Sequence, residues 1–444
     1  MSAPPAPALI SVETARDAVL AGAQPVGTER VAAAASLGRV VAEAVTARIS
    51  LPPWSNSAMD GYAIRAADTT GATEAAPLEL RIVGDVAAGA APAVTVEPGT
   101  AVRIATGARL PDGADAVIPV EATTPLDGAH REGPRGRDAT GPLPVACLVH
   151  EPVRPGGSVR ITGSDLVAGA TLLERGTAIT AATVALVAGA GVAEVRVHRL
   201  PRIAVLATGD EVRAPGEPLG PAGIPDANGP GLRAQVTAAG GEAIDLGIAS
   251  DDLDDVVGRL RRGLAAGVDA LIVSGGVSVG PYDIVKTAIE TVGRIDLWRV
   301  AVQPGKPFAF GTAERPGGGA PVLLFGLPGN PVSSAVTFEL FVRPAIRAMA
   351  GRRDLLRPVD RGVLGDAVTK SHGRRGFVRV QAERDAGGSP VRDERGRVRV
   401  DLAGGQGSHV MSALAAADAL AVIPEADDSL PAGAEVAIWW LDRA

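Results

Sequence analysis

The chain has 444 residues, a formal net charge of −7 and 3% aromatic residues. This length is too great for one hydrophobic core, so we expect two to four domains, and the acidic balance argues against a general nucleic-acid binder. Cys147 is the only cysteine, which excludes an intrachain disulfide and any thiolate-rich metal site.

The N-terminus lacks both a basic segment and a sustained apolar segment, and no apolar run elsewhere is long enough to cross a bilayer. We therefore expect a soluble cytoplasmic protein without a membrane partner. Residues Ser11–Ala21 have a loose apolar stripe behind a serine, which predicts a short helix capped by Ser11.

The segment Leu51–Arg65, LPPWSNSAMDGYAIR, begins as an irregular loop, because its prolines and small polar residues disfavour regular structure. Asn56, Ser57 and Asp60 are either turn formers or functional residues. Strand patterns separated by turn residues follow from Leu78 to Val120 and predict a small barrel or sandwich, with a solvated excursion over Pro125–Pro144.

The segment Gly156–Thr180 returns the chain towards Val31–Val45, so one domain is predicted to interrupt another. From Pro201 the pattern changes to alternating strands and helices, which predicts a parallel α/β sheet closed by a long helix, Val332–Ala350. Short strands reappear after Pro358 and indicate a separate C-terminal β-domain.

Ligands of open parallel sheets bind beyond the carboxyl ends of the strands, so the residues after each predicted strand are the candidate site. Glycines, hydroxyl groups and helix starts at one edge would form a cradle for an anion. The candidates at these strand ends are Thr208, Gly209, Glu211, Asp251, Asp252, Ser274, Gly275, Gly276, Asp283, Pro328, Gly329, Asn330 and Ser333.

Acidic residues beside a phosphate cradle repel the phosphate unless a hard cation lies between them, so the pattern predicts Mg²⁺ at this edge. Glu211 and Asp283 are the better candidates, whereas Asp251 and Asp252 are equally well explained as helix caps. Lys306, in the segment QPGKP, is either a rigidly presented anion ligand or a lysine in solvent.

Taken together, the motifs resemble those of the molybdopterin molybdenumtransferases, the MoeA family, which is similar to the E-domain of gephyrin. The resemblance spans almost the whole chain in order. It rests on SNSAMDGYA (55–63), RIATGARLPDGADAV (103–117), GSD (163–165), TGDEV (208–212), DANGPGL (226–232), SGGVSVGPYD (274–283), PGKPFAFG (304–311), LPGNPVSS (327–334) and GQGSH (405–409).

The resemblance implies that adenylylated molybdopterin and molybdate are converted, with Mg²⁺, to molybdenum cofactor and AMP. It also implies a homodimer of elongated L-shaped subunits, and a molybdopterin adenylyltransferase is a further candidate partner. The implied domains are an N-terminal helix on the α/β domain (1–24), a linking domain (25–52 and 153–178), a β-rich insert domain (53–152), a molybdopterin-binding α/β domain (179–355) and a C-terminal β-barrel-like domain (356–444).

The resemblance also implies roles for individual residues. Asp60, Thr106, Asp165, Glu211, Asp251 or Asp252, and Asp283 would line the nucleotide–pterin and metal site. Lys306, Ser333, Arg374 and Ser408 would bind molybdate, a tetrahedral dianion that suits ammonium, guanidinium and hydroxyl donors. Arg375 competes with Arg374 for this assignment.

Two short motifs depart from the family pattern. Gln303 replaces a lysine of many relatives, which removes one expected positive charge, and GSD at 163–165 replaces the commoner GED. Two alternative functions remain at this point: a molybdopterin adenylyltransferase, which would need neither the β-insert nor the C-terminal domain, and a non-catalytic scaffold of the gephyrin type.

Overall fold

The structure is a computed structural model that describes residues 9–136, 141–276 and 284–441. The first helix, α1 (Val12–Gly22), begins as predicted, because the Ser11 hydroxyl accepts a hydrogen bond from the Thr14 amide at 3.1 Å. Its buried face packs into the core of the α/β domain. No helix in the described residues is long and apolar enough to span a membrane.

The linking domain pairs segments that are far apart in the chain. Its strands are Thr28–Ala32 with Glu194–His198, and Val45–Thr46 with Thr171–Leu173. Helix α2 (Ala181–Gly189) buries Val187 in the same small core. Residues 179–198, which the resemblance places in the α/β domain, therefore pack with the linking domain, because their partners lie near residues 28–45.

The insert domain contains one six-stranded sheet rather than two separate layers. Hydrophobic cores lie on both faces of the sheet. Successive residues of a strand point to opposite faces, so the neighbours Tyr62 and Ala63 are both buried. A short pair, Asn56–Ser57 with Val159–Arg160, joins it to the linking domain. In spatial order the strands are Ala116–Pro119, Gly61–Ile64, Thr100–Ile104, Leu78–Val86, Ala146–Val149 and Thr123–Leu126.

Hydrogen bonds hold part of the predicted excursion, 125–144, against the rest of the insert domain. Arg135 donates two hydrogen bonds of 2.8 Å to the Glu74 carboxylate, and Arg103 donates one to the Gly141 carbonyl. Residues 137–140 lie outside the described residues.

The α/β domain has a six-stranded sheet of which four strands are parallel. The other two pair antiparallel, because Ala309–Ala313 and Val322–Leu327 are joined directly by a surface loop instead of a helix. In spatial order the strands are Glu242–Ala249, Arg202–Thr208, Ala270–Ser274, Val322–Leu327, Ala309–Ala313 and Arg294–Trp298.

Helices cover both faces of this sheet: α3 (Asn228–Ala238), α4 (Leu253–Ala265) and α5 (Ile284–Val292). The predicted closing helix is α6 (Pro331–Thr337) and α7 (Arg343–Met349), joined by a buried π-helical turn, Phe338–Val342. A short two-stranded sheet, Val212–Arg213 with Ile224–Pro225, lies in the loop after the strand Arg202–Thr208.

The C-terminal domain is a closed β-barrel, as predicted, with helix α8 (Met411–Ala416) outside it. A small extra pair, Val368–Thr369 with Ser429–Leu430, lies beside the ring. The ring runs Arg375–Ala382, Val398–Leu402, Val359–Leu364, Glu435–Trp440, Ala419–Ile423 and back to the first strand.

The barrel is continuous with the α/β domain. The strand Val302–Gln303 runs parallel to the first residues of Arg375–Ala382, and the Arg375 amide donates to the Ala301 carbonyl at 2.8 Å. We call this contact between the α/β domain and the barrel the seam. Its hydrogen bonds hold the segments on its two sides in fixed register.

Candidate functional site

The carboxyl ends of three parallel strands meet at one edge of the α/β sheet. The Thr208 hydroxyl donates to the Ser274 carbonyl at 3.4 Å, and the Ser274 hydroxyl donates to the Pro328 carbonyl at 3.3 Å. The Gly275 amide donates to the Leu327 carbonyl at 3.3 Å. Hydrogen bonds thus hold the ends of the three strands together.

Gly275 allows this close approach. Its φ is +110°, and a Cβ atom placed there would lie 2.5 Å from both the carbonyl oxygen and the hydroxyl of Thr208. Gly276, with φ +59°, faces Val285 of α5 in the same way. Gly275 is buried and Gly276 is exposed, so the turn offers the backbone of Gly276 to a ligand.

The loop before α6 is held from the other side. Asn228, at the start of α3, donates its side-chain amide to the Gly329 carbonyl at 2.7 Å. Asn330 precedes α6 without capping it through its side chain. Asn228 was not among the sequence candidates, although it lies in the DANGPGL motif, and it fixes the position of Gly329 and Asn330.

The acidic residues divide into two kinds. Asp252 is a helix cap, because its carboxylate accepts from the Asp255 amide at 2.9 Å. Asp251 instead exchanges hydrogen bonds with Asp210: the Asp251 amide donates to Asp210 Oδ1 at 3.0 Å, and the Asp210 amide donates to Asp251 Oδ2 at 3.3 Å. Asp210, which sequence reasoning did not select, therefore belongs to the same edge.

The donor set at this edge suits a hard cation. Asp210, Glu211 and Asp251 are exposed carboxylates beside the Thr208–Gly275 turn, and Mg²⁺ is commonly held by one or two carboxylates plus phosphate oxygens and water. Within the described ranges, no group of three or more acidic, histidine or cysteine side chains is close enough to hold a metal alone. Asp283, the other predicted metal ligand, lies outside those ranges.

The second group of candidates meets at the seam between the α/β domain and the barrel. The Val332 amide, next to Ser333, donates to the Ser408 carbonyl at 3.2 Å. A Cβ atom placed on Gly305, next to Lys306, would lie 3.5 Å from the Ser333 carbonyl oxygen. The segments that carry Lys306, Ser333 and Ser408 thus converge.

Arg374 reaches the same seam at the start of the strand Arg375–Ala382. Its neighbour Arg375 is engaged elsewhere, in ion pairs with Glu13 of α1 and with Glu425, the latter at 2.9 Å. Burial alone would lower the pKa of Arg375, but these two carboxylates raise it. In the described part of the chain, the Arg374 side chain has no such partner, so it is the better candidate for an external anion.

Gln303 has a structural contact at this seam. Its side-chain oxygen accepts from the Ser371 amide at 2.8 Å and so links the 303–306 segment to the barrel. A lysine could not accept that hydrogen bond. Gln303 thus provides one link between the two domains.

Asp60 and Thr106 form a separate pair in the insert domain. The Asp60 carboxylate accepts from the amide of Thr106 at 2.7 Å and from its hydroxyl at 3.0 Å. Asp165 is exposed in the linking domain, where its amide donates to the Leu51 carbonyl. The contacts of these three residues stay away from the α/β edge, so one chain does not gather all the sequence candidates.

Models of protein families match three successive regions of the chain. The MoeA N-terminal region (domain I and II) matches residues 10–191, a probable molybdopterin-binding domain matches 204–348, and the MoeA C-terminal region (domain IV) matches 361–441. The matches follow the order of the domains and cover most of the chain.

Curated relatives match over nearly the full length. Molybdopterin molybdenumtransferase 2 of Mycobacterium tuberculosis is 38% identical over 408 residues, which cover 90% of this chain and 92% of the relative. The molybdopterin molybdenumtransferase of Haemophilus influenzae is 33% identical, with 93% and 94% covered.

Solved structures agree with the fold. The molybdopterin biosynthesis MoeA protein of Pyrococcus horikoshii superposes with a TM-score of 0.76 and is 31% identical, with 98% of this chain and 99% of that chain covered. A second structure from the same organism gives a TM-score of 0.74 at 27% identity, with 98% and 100% covered.

Proposed function

The chain belongs to the molybdopterin molybdenumtransferase (MoeA) family, and we propose that it converts adenylylated molybdopterin and molybdate into molybdenum cofactor and AMP. The observation that carries this proposal is the seam at which the segments of Lys306, Ser333, Arg374 and Ser408 converge beside the α/β edge. A stand-alone adenylyltransferase would need neither the barrel nor its serine.

The seam has the chemistry that a tetrahedral dianion requires. Lys306 supplies a compact ammonium group, and Arg374 supplies a planar guanidinium that can bind two oxygens at once. Ser333 and Ser408 add hydroxyl donors. Together these groups would hold molybdate in one orientation through its oxygens, and no protein atom would need to bind the molybdenum itself.

The α/β edge has the chemistry that a nucleotide phosphate requires. The buried hydroxyl groups of Thr208 and Ser274 hold the turn in shape through hydrogen bonds to carbonyls, and the exposed Gly276 would offer its backbone to the phosphate groups. Glu211 and Asp251, with Asp210, would hold Mg²⁺, which would neutralise the charge that develops as the phosphoanhydride bond breaks. AMP is the leaving group of that bond.

The molybdate subsite at the seam and the phosphate subsite at the α/β edge would act together because they lie beside each other. Molybdate held at the seam would lie near the dithiolene of the pterin when the nucleotide phosphates occupy the edge. The chain thereby keeps both reactants in one orientation, and the release of AMP accompanies the insertion of molybdenum.

We further propose that the active form is a homodimer. The Asp60–Thr106 pair makes its contacts within the insert domain, so a second copy could bring that pair to the α/β edge. We also propose a cytoplasmic location and a molybdopterin adenylyltransferase as the partner that supplies the substrate.

Purified protein tests the function directly. Given adenylylated molybdopterin, Mg²⁺ and molybdate, it should release AMP and produce cofactor that activates an apo-molybdoenzyme. No AMP release under these conditions would contradict the proposal and favour a scaffold.

A further inference from the structure

The segment before α1 contacts the strand that leads to the seam. Ile10 forms a parallel bridge with Val300. The Ile10 amide donates to the Arg299 carbonyl at 3.4 Å, and its carbonyl accepts from the Ala301 amide at 2.8 Å. The segment cannot move freely, because Val12 of α1 is fully buried in the core of the α/β domain. The N-terminus therefore holds the backbone of residues 299–301 in place.

Residues 299–301 are also bonded to both halves of the seam. The Val300 amide donates to the Lys306 carbonyl at 3.1 Å, and the Ala301 carbonyl accepts from the Arg375 amide at 2.8 Å. The segment that carries Lys306 and the first residue of the barrel strand are thus anchored to a backbone that the N-terminus supports.

The side chain of Arg375 joins α1 to the barrel directly. Its guanidinium forms ion pairs with Glu13, in the first turn of α1, and with Glu425, the latter at 2.9 Å. Glu425 follows the barrel strand Ala419–Ile423. The Arg375 side chain is 21% exposed, so both pairs are less screened than pairs on an open surface.

This bridge is electrostatically matched. Burial alone would raise the pKa of Glu13, but the hydrogen bond and the charge of Arg375 hold it below its ordinary value. Glu13 is therefore ionised at neutral pH. A planar guanidinium can bond two carboxylates in different directions, which a lysine ammonium does with less geometric restraint. Because Glu13 is fixed by a buried helix and Glu425 belongs to the barrel, the bridge opposes movement of the barrel away from the α/β domain.

We propose that Glu13 is a positioning residue for molybdate: through Arg375 it holds the barrel against the α/β domain, so that Lys306 and Arg374 are presented to the same oxyanion. Glu13 itself does not touch the substrate. The inference rests on the proposed function in naming molybdate as the oxyanion, and it gives Arg375 a role distinct from that of Arg374.

Steady-state kinetics of Glu13→Gln test this inference. KM for molybdate should rise about fivefold, because affinity falls with the fraction of molecules in which the seam is correctly assembled. At saturating molybdate kcat should stay near the wild-type value, as should KM for adenylylated molybdopterin, since bound molybdate restores the assembled state. Glu29→Gln is the matched control: the Glu29 side chain is 47% exposed, against 45% for Glu13, and pairs with Arg39 in the linking domain.

Amide hydrogen exchange of the full chain without substrate measures the seam independently of activity. Peptides that contain Ala301 and Arg375 should exchange about threefold faster or more in Glu13→Gln, because local opening of the seam exposes their amides. Peptides from the strand Arg202–Thr208 should exchange as in the wild type. Glu29→Gln should leave both regions unchanged.

A second substitution tests whether Glu13 acts through Arg375. Arg375→Met should raise KM for molybdate at least as much as Glu13→Gln, and combining the two should add no further effect, because both remove the same bridge. Glu13→Asp, which keeps the charge on a shorter side chain, should give an intermediate KM. If Arg375→Met fails to fold, Glu425→Gln removes the other ion pair and should raise KM in the same way.

The outcomes separate this inference from the proposed function. An unchanged KM for molybdate in folded Glu13→Gln overturns the inference even if exchange at the seam is faster, since the bridge would then be structural only. A rise in KM without faster exchange at the seam overturns it as well. If the wild-type chain releases no AMP, the proposed function is wrong, and equilibrium dialysis with molybdate then compares the two proteins through Kd in place of KM. A wild-type chain that binds no molybdate overturns both.

Discussion

The amide of Val332 donates a hydrogen bond to the carbonyl of Ser408 across the seam between the α/β domain and the C-terminal barrel, at 3.2 Å. Ser333 follows Val332 directly, so two serines from different domains are placed relative to each other by one backbone contact. The position of any oxyanion held there therefore depends on both domains.

Lys306 should determine the affinity for molybdate. Lys306→Met removes the ammonium group at the seam, and we expect KM for molybdate to rise about tenfold or more, because charge-assisted hydrogen bonds are lost. AMP release measured over a range of molybdate concentrations checks this. Arg395→Met removes one positive charge far from the seam and should leave KM unchanged, whereas an unchanged KM in Lys306→Met would exclude this role.

Complementation between subunits should reveal the proposed dimeric site. A heterodimer of Asp60→Ala and Lys306→Met chains, isolated through two different tags, should show about half of the wild-type activity at limiting molybdate, because one of two symmetric sites is intact. Each variant homodimer should be much less active. A heterodimer no better than the two homodimers would mean that Asp60 and Lys306 act in the same chain.

The turn at Gly275 should tolerate no side chain. Gly275→Ala places a Cβ atom 2.5 Å from Thr208 at a φ of +110°, so the turn must move and AMP release should fall about 10²-fold or more. Gly258→Ala, in α4 with no atom near its added methyl group, is the matched control and should be neutral or slightly stabilising. Equal activity of the two variants would count against the turn as a binding element.

Glu211 should affect the requirement for Mg²⁺. Glu211→Gln removes one carboxylate from the α/β edge, so half-maximal AMP release should need about tenfold more Mg²⁺, and chelation should abolish activity in both proteins. Glu394→Gln, in an exposed loop of the barrel, controls for the loss of charge. The same Mg²⁺ dependence in wild type and Glu211→Gln would remove Glu211 from the metal site.

Asp269 should be a determinant of stability at the opposite end of the sheet. It is 2% exposed and accepts from Arg199 at 2.6 and 2.7 Å and from Arg315 at 2.9 Å. Asp269→Asn leaves the half-buried Arg199 and Arg315 without their counter-charge and should cost about 3 kcal/mol of unfolding free energy, the lower end of the range for breaking a buried pair. Glu242→Gln, which breaks an exposed pair with Arg202, should cost less than about 1 kcal/mol in the same denaturant titration.

The Asp269 contribution should also depend on pH. Burial alone would raise the pKa of Asp269, but the hydrogen bonds from Arg199, the Arg202 amide and Arg315 hold it below its ordinary value. The stabilisation is therefore complete above the unfolded-state pKa, about 4, and is lost as the pH falls through the lowered folded-state pKa. The stability gap between wild type and Asp269→Asn should narrow only in acid, and a gap that is constant with pH would contradict this origin.

The features that could be predicted from the sequence are those that depend on particular residue types. Strand ends rich in glycine and hydroxyl residues indicated the edge formed by Thr208, Ser274 and Gly275, and short strand patterns after Pro358 indicated the C-terminal β-domain. The resemblance to a family selected Lys306, Ser333, Arg374 and Ser408 among many polar residues. In the structure Arg375 forms ion pairs with Glu13 and Glu425, which favours Arg374 of the two candidates.

Other features were hidden because their partners are backbone atoms or distant segments. The Asn228 side chain, for example, donates to the Gly329 carbonyl, and a backbone acceptor has no signature in the sequence. The pairing of Glu194–His198 with Thr28–Ala32 joins segments more than 150 residues apart in the chain, so local patterns could not assign residues 179–198 to the linking domain.

The strand Arg375–Ala382 belongs to two structures at once, since it closes the barrel and also pairs with Val302–Gln303 of the preceding domain. The C-terminal region is therefore not an exchangeable module. A chimaera that takes the barrel from a relative would have to take the segment 301–306 with it, because recombination between them would separate the two halves of one hydrogen-bonded ladder.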